Sequence, residues 1–142
     1  MKKICALCIT LMFVAMSGAM MSGCRQRYSF ANDTVEVSLE NAVSIKLLEE
    51  FVGETFVLDI SYFEELNLSE VRIGMPHATE NVRRQLNGEQ VTNPISTTTF
   101  RMSLSLILAE PSHRTVLRYV DIVNAREDVY WADVNAFGKI GI

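Results

Sequence analysis

The run from Thr97 to Ala109 carries the clearest pattern in the chain: Phe100, Met102, Leu104, Leu106 and Leu108 fall on one side and Thr99, Arg101, Ser103 and Ser105 on the other. A period of two sustained over that length marks a strand with one face in a core and the other in water. A half-wet strand belongs to an antiparallel sheet, and helices elsewhere in the chain must cover its apolar face. The expected class is therefore α+β, an antiparallel three- to four-stranded sheet with two helices packed on one face.

The neighbouring segments fill out this plan. Pro111 to Arg114 reads as a turn, Thr115 to Val123 as a returning strand, Asn124 to Asp128 as a second turn and Val129 to Phe137 as a further strand, so the last third is expected to form a meander. Upstream, from Ser38, a helical stripe gathers Ala42, Val43, Leu47, Leu48, Phe51 and Val52, with Gly53 placed to end it. Thr55 to Phe63 alternates like a strand, Glu64 to Glu70 reads as a polar connection, and Pro76 opens a short helix, His77 to Asn87, closed by Gly88. The apolar face of that helix is thin, with only Ala78, Val82 and Leu86.

At the start of the chain, Lys2 and Lys3 precede an apolar run from Ile4 to Ala15, and Ser22-Gly23 leads directly into Cys24. A cationic start, a short apolar stretch and small residues before a cut form an export signal. The run falls short of the roughly 20 residues that a transmembrane anchor needs. Met21-Ser22-Gly23-Cys24 resembles the lipobox of bacterial lipoproteins, although Met21 stands where Leu is commoner. The resemblance implies a signal peptide over 1–23, lipidation of Cys24 by diacylglycerol and palmitate-type acyl chains, and membrane attachment through that residue. The lipidated cysteine and a short tether would then occupy 24–33 and a single α+β domain 34–142. Arg25, rather than Asp, follows the cysteine, and the likeness to sorted lipoproteins then implies a place in the bacterial cell envelope at the outer membrane, facing the periplasm.

Cys5 and Cys8 have redox-pair spacing but lie within the segment that the cut removes. With Cys24 acylated, disulfides, zinc thiolates and cysteine catalysis drop out of the mature chain. Stability must come from packing, and a chain of this size buries roughly two-thirds of its unfolded surface, enough for one core. The formal net charge of −4 becomes more negative once Lys2 and Lys3 leave, and the adjacent basic pair Arg83-Arg84 sits between Glu80 and Glu89. An acidic body without a basic stripe argues against nucleic acid as a partner.

Catalytic patterns are missing from the sequence. His77 and His113 have no partner at metal-ligand spacing, no GxSxG elbow accompanies the serines, and Gly74-Met75-Pro76 is not a phosphate cradle. Asp59, Glu64 and Glu65 are close in sequence, but neighbours at a strand end point to opposite sides, so a solvated edge is the plainer reading. The expectation is a protein that is not an enzyme, with no cofactor and no metal. Tyr130 and Trp131 are the candidate partner contacts, since large aromatics concentrate at interfaces. Strand parity groups Trp131 with Val129 and Phe137 on the core side, leaving Tyr130 exposed with Ala132 and Val134. An alternative site uses Arg101, Ser103, Ser105 and Arg118 in a cleft between the helices and the wet face, where Arg101 and Arg118 would clamp a carboxylate.

The stretch Leu117-Arg118-Tyr119-Val120-Asp121-Ile122-Val123, followed by Val129-Tyr130-Trp131-Ala132-Asp133 and Lys139, resembles the closing hairpin of LpoB-type outer-membrane lipoproteins and of related curli-secretion lipoproteins. The turn Asn124 to Asp128 lacks their glycine, and a strand-and-helix portion of those domains has no counterpart between Gly88 and Thr97. LpoB-type proteins activate penicillin-binding proteins, so the resemblance implies a regulator of peptidoglycan synthesis. The expected function is a lipid-anchored, non-enzymatic binding or assembly module with an envelope protein as partner. The alternative is a small-ligand-binding periplasmic lipoprotein or minor enzyme using the polar face of the sheet.

Overall fold

The alternating run condenses into a strand shorter than its pattern, Ser103–Leu108, with Leu104, Leu106 and Leu108 buried. The computed structural model describes residues 29–50 and 57–136. Among these, the chain order is β1 (Phe30–Leu39), α1 (Asn41–Glu50), a single helical turn (Ile60–Phe63), β2 (Leu68–Gly74), α2 (Pro76–Leu86), β3 (Ser103–Leu108), α3 (His113–Asn124) and β4 (Val129–Ala136). The sheet is four-stranded in the order β2-β3-β1-β4, and every neighbouring pair is antiparallel. β1 and β2 therefore run parallel with β3 between them, and β3 and β4 run parallel with β1 between them. This is the interleaved split β-α-β arrangement of ferredoxin-like folds, here with α2 added to the β2–β3 connection. The class is α+β, with three helices where two were expected.

Register sorts the sheet into two faces. Ile73, Leu104, Val37 and Ala132 align across the strands in one row, and Val71, Leu106, Val35 and Val134 in the next. These rows join Leu48 of α1, Val82 of α2, and Val116, Tyr119 and Val123 of α3 in one hydrophobic cluster. The helices thus supply what the alternation demanded, a cover over one face.

Several segments depart from the sequence reading. Thr115 to Val123 is helix, not strand. Val116, Tyr119 and Val123 are its buried residues, at helical spacing, and Ser112 caps the start with its hydroxyl accepting from the Thr115 amide. The β-branched residues there invite a strand reading, but the period of the buried positions decides. No meander forms, because α3 carries the chain from β3 across to β4 on the far side of β1. Phe30 to Asp33, read as part of the tether, opens β1. The helix expected from Ser38 starts at Asn41, because Ser38 and Leu39 still pair in the sheet. Val57 to Phe63 is an irregular stretch ending in a helical turn, whose Asp59 carboxylate accepts from the Ser61 amide at 2.7 Å. The polar connection read from Glu64 to Glu70 instead enters β2 at Leu68. Phe51 to Gly53, Thr55, Phe56, Phe137, Lys139 and the whole leader with Cys24 lie outside the described residues.

The long connection after α2 is pinned by side-chain amides. Gln85 bonds both the amide and the carbonyl of Ile95 at 2.8 Å, and Asn41 donates to the carbonyls of Thr97 and Phe100. Ser44, fully buried on α1, donates to the Glu40 carbonyl at 2.8 Å and accepts from the Met102 amide at 2.9 Å, tying the helix to the lead-in of β3. Ser44→Ala leaves that buried amide without its acceptor, a loss of about 1–3 kcal/mol. In urea melts the variant should unfold correspondingly earlier, whereas Thr92→Ala on the exposed loop should stay within about 0.5 kcal/mol of the parent. Equal effects of the two would show that the Ser44 bridge contributes nothing.

Candidate binding face of the sheet

On the side of the sheet away from the helices, register builds a second set of rows: Gly74, Ser103, Ser38 and Trp131, then Arg72, Ser105, Glu36 and Asp133, then Glu70, Ile107 and Thr34. The first row is small side chains ending in a tryptophan. A shift in the β1–β4 pairing makes that possible. Leu39 faces Val129 but Ser38 faces Trp131, so Tyr130 is an extra residue in a β-bulge. Without it, Trp131 would share the core face with Val129. With it, Ala132 takes the core position and both aromatics emerge, Tyr130 51 % and Trp131 44 % exposed. The expected burial of Trp131 is corrected on this ground, and Tyr130 stands exposed as anticipated. The Arg101 guanidinium lies 3.6 Å from the centroid of the Tyr130 ring, a cation–π contact that holds the ring in place.

The two arginines of the alternative site do not meet. Arg101 stacks on Tyr130, whereas Arg118 projects from the exposed side of α3, 5.5 Å from the Tyr119 ring centroid. Because 113–124 is a helix on the core face, no cleft is shared between the helices and the wet face. Arg118 instead lines a cavity of about 570 Å³ with Arg114, Thr115, Leu117 and Asp121. Ser103 and Ser105 do sit on the open face, where the Ser105 hydroxyl donates to Glu36 at 2.8 Å. Glu36 and Asp133 lie directly opposite each other, an unfavourable like-charge pairing. The Ser105 hydroxyl relieves the first and the Val134 amide, at 2.7 Å, the second.

Each edge strand carries a feature that opposes strand addition. Asn124, at the end of α3, accepts from the Ala132 amide at 2.7 Å and donates to the Ala132 carbonyl at 2.9 Å, filling the outer side of β4 as a neighbouring strand would. At the other edge, β2 carries the exposed ion pair Arg72–Glu70 at 2.9 Å. Both devices discourage a further strand from adding.

A polar clasp that the sequence reading missed lies beside the α3–β4 turn. Arg126 grips the Asp128 carboxylate with two bonds, at 2.9 and 2.8 Å, and also pairs with Glu65 and the Tyr62 carbonyl. The Tyr62 hydroxyl donates to Asp128, and the Arg126 guanidinium lies 5.1 Å from the Tyr62 ring and 4.7 Å from that of Phe63. Hydrogen bonds from Arg126 hold the Asp128 carboxyl below the usual range, while burial, reinforced by Asp128, pushes the Tyr62 hydroxyl up to about 12. Of the carboxylates weighed earlier, Glu65 belongs to this clasp, Asp59 caps the helical turn and Glu64 is exposed. His77 is exposed on α2, and His113 opens α3 with Nε2 3.2 Å from the Phe30 carbonyl and its ring edge-on to Phe30.

Among the described residues, no group of three or more His, Cys, Asp or Glu side chains could hold a metal ion, and no helix is long and apolar enough to cross a membrane. Comparison with known proteins yields no similarity: no family model matches the chain, and neither does any curated protein or solved structure.

The clasp makes stability depend on pH at both extremes. A depressed Asp128 contributes fully above about pH 4, its unfolded range, and the contribution falls away as the solution is acidified below that. Tyr62, raised on folding, contributes fully below its ordinary 10.0 and the contribution is lost as pH climbs through about 12. Absorbance titration of the folded protein should therefore show a tyrosine ionising late, near pH 12, and Tyr62→Phe should delete that late step alone. Retention of the step in the variant would assign it elsewhere and break the clasp account.

Proposed function

We propose that this is a lipid-anchored envelope protein, held by acyl chains on Cys24, that works without catalysis by binding a protein partner through the open face of its sheet. The carrying observation is the bulge that lifts Tyr130 and Trp131 out together, with Arg101 bracing the first. Two large rings held outside a core are the kind of anchor that dominates binding energy, because they desolvate much area while freezing few torsions. The small residues Ser38, Ser103 and Gly74 beside Trp131 leave room for an incoming side chain. The filled edge at Ala132 favours recognition by the face over strand addition. The anchor reading is supported by the cationic start, the apolar run and the lipobox in the sequence.

A peptidoglycan-synthase partner follows from the resemblance to LpoB-type proteins, but the first half of the quoted hairpin is helix α3 here. The partner is therefore defined by chemistry, as a surface that offers a pocket to two aromatic rings. A photo-crosslinking residue placed at position 130 in intact cells of the native host should yield a discrete adduct, and one at Thr115 on α3 should not yield the same product. Trp131→Ala should reduce the 130 adduct at least tenfold, since truncating an aromatic anchor commonly weakens binding by about 2 kcal/mol or more. Identical adducts from both positions, or none from 130, would remove the reading. Radiolabelled palmitate should enter the parent chain and not Cys24→Ser.

A further inference from the structure

The register and the caps give the domain two distinct ends. At one end β1 begins. There Phe30 pairs with Ala136, the Ser112 amide donates to the Asn32 carbonyl at 2.7 Å, and His113 reaches the Phe30 carbonyl. The first turn of α3 is thus fastened beside the first residue of β1. At the other end, β1 finishes with Ser38 opposite Trp131. A strand rises about 3.3 Å per residue, so these two ends of β1 lie about 26 Å apart.

Covalent length then limits where the bilayer can be. However it is arranged, the chain from Cys24 to Phe30 reaches at most about 22 Å. An acyl group on Cys24 therefore keeps the β1-start end of the domain near the membrane, and α3 begins at that end. The exposed side of its first two turns carries Arg114, Leu117 and Arg118, with Leu117 44 % exposed. Neither arginine has a carboxylate partner among the described residues, in contrast to Arg72, Arg83, Arg84 and Arg126, all of which are ion-paired. Two arginines at i and i+4 flanking an exposed leucine form a short basic, apolar-centred strip on an otherwise acidic chain. Of the nearby acids, Asp121 lies a turn further from the tethered end and Glu110 lies in the preceding loop.

We propose that Arg114, Leu117 and Arg118 on the outer side of α3 rest on the anionic phospholipid headgroups of the bilayer that holds the anchor, fixing the domain with Tyr130 and Trp131 at the membrane-distal end. This rests on the lipid-anchor reading of Cys24. The guanidinium groups match headgroup phosphates, and each basic residue at such a surface shifts the docked-to-free ratio by about fivefold. The anchor supplies affinity and the strip supplies orientation.

The test uses mature protein purified from its native host and placed in phosphatidylethanolamine vesicles with or without phosphatidylglycerol. Because Cys24 is acylated, Leu117→Cys introduces a single free thiol for an environment-sensitive dye, and Tyr130→Cys gives the control. The dye at 117 should shift to the blue in the anionic vesicles, lose the shift at high salt, and lose it about tenfold or more when Arg114→Glu and Arg118→Glu are combined. The control dye should not respond to phosphatidylglycerol. A dye at 117 that stays as wet as the control, on protein whose intact mass shows an acylated Cys24, overturns the orientation and leaves the anchor reading standing. An intact mass showing Cys24 bare overturns the anchor reading and this proposal together.

Discussion

β1 is the strand on which the rest of the domain is registered: with β3 it forms the centre of the sheet, and it pairs along both sides, to β3 and to the bulged edge strand β4. Its alternation assigns Val35, Val37 and Leu39 to the core and Glu36 and Ser38 to the open face. A slip of one residue would drive Glu36 under the helices and bring three apolar side chains into water, so the hydrophobic pattern and the ladder enforce each other. The split topology follows from the same position: each β-α-β unit has to step over a strand of the other, and β1 and β3 are the strands stepped over.

That dependence explains which parts of the fold were legible in the sequence. β3 was, because Met102, Leu104 and Leu106 alternate with Arg101, Ser103 and Ser105. α2 was, because Pro76 and Gly88 bracket it. β1 was not, since its apolar residues end where the stripe of α1 begins, and Ser38 and Leu39 fit either period. α3 misled through its content of Val, Ile and Tyr, although Val116, Tyr119, Val120 and Val123 carry the helical spacing. At the candidate site, the exposure of Tyr130 was legible and that of Trp131 was not. A bulge is decided by how β4 meets β1, and no local residue pattern announces it. The clasp was equally hidden, since it joins Tyr62 and Glu65 to Arg126 and Asp128 across more than half the domain, and only a fold brings them together.

The bulge and the clasp are mechanically related. Asp128 ends the turn that delivers the chain into β4, its carbonyl accepts from the Glu40 amide at 2.9 Å, and its carboxylate is gripped by Arg126 and Tyr62. Val129 follows directly and enters the core opposite Leu39. With that entry point held from three directions, the extra residue cannot migrate to the far end of β4. It is confined to the start of the strand, and the start of the strand carries the two rings. A polar network at the back of the turn thus determines where aromatic surface appears on the front of the sheet.

The proposed recognition through a face rather than an edge would have a physical consequence for affinity and selectivity. An added strand would draw its energy from backbone bonds that any sequence can make, so it discriminates poorly unless side-chain pockets assist. Here Asn124 and Asp133 consume the outward amides of Ala132 and Val134, and that generic mode is suppressed along the middle of β4. In the binding mode proposed above, the free energy would come from burying Tyr130 and Trp131, and a partner lacking a complementary hollow would gain nothing from meeting them. The opposed carboxylates of Glu36 and Asp133, one row away, raise the selectivity further. An apolar partner would have to strip water from both without replacing it, whereas one bearing an Arg or Lys beside its hollow would relieve their mutual repulsion as it docked.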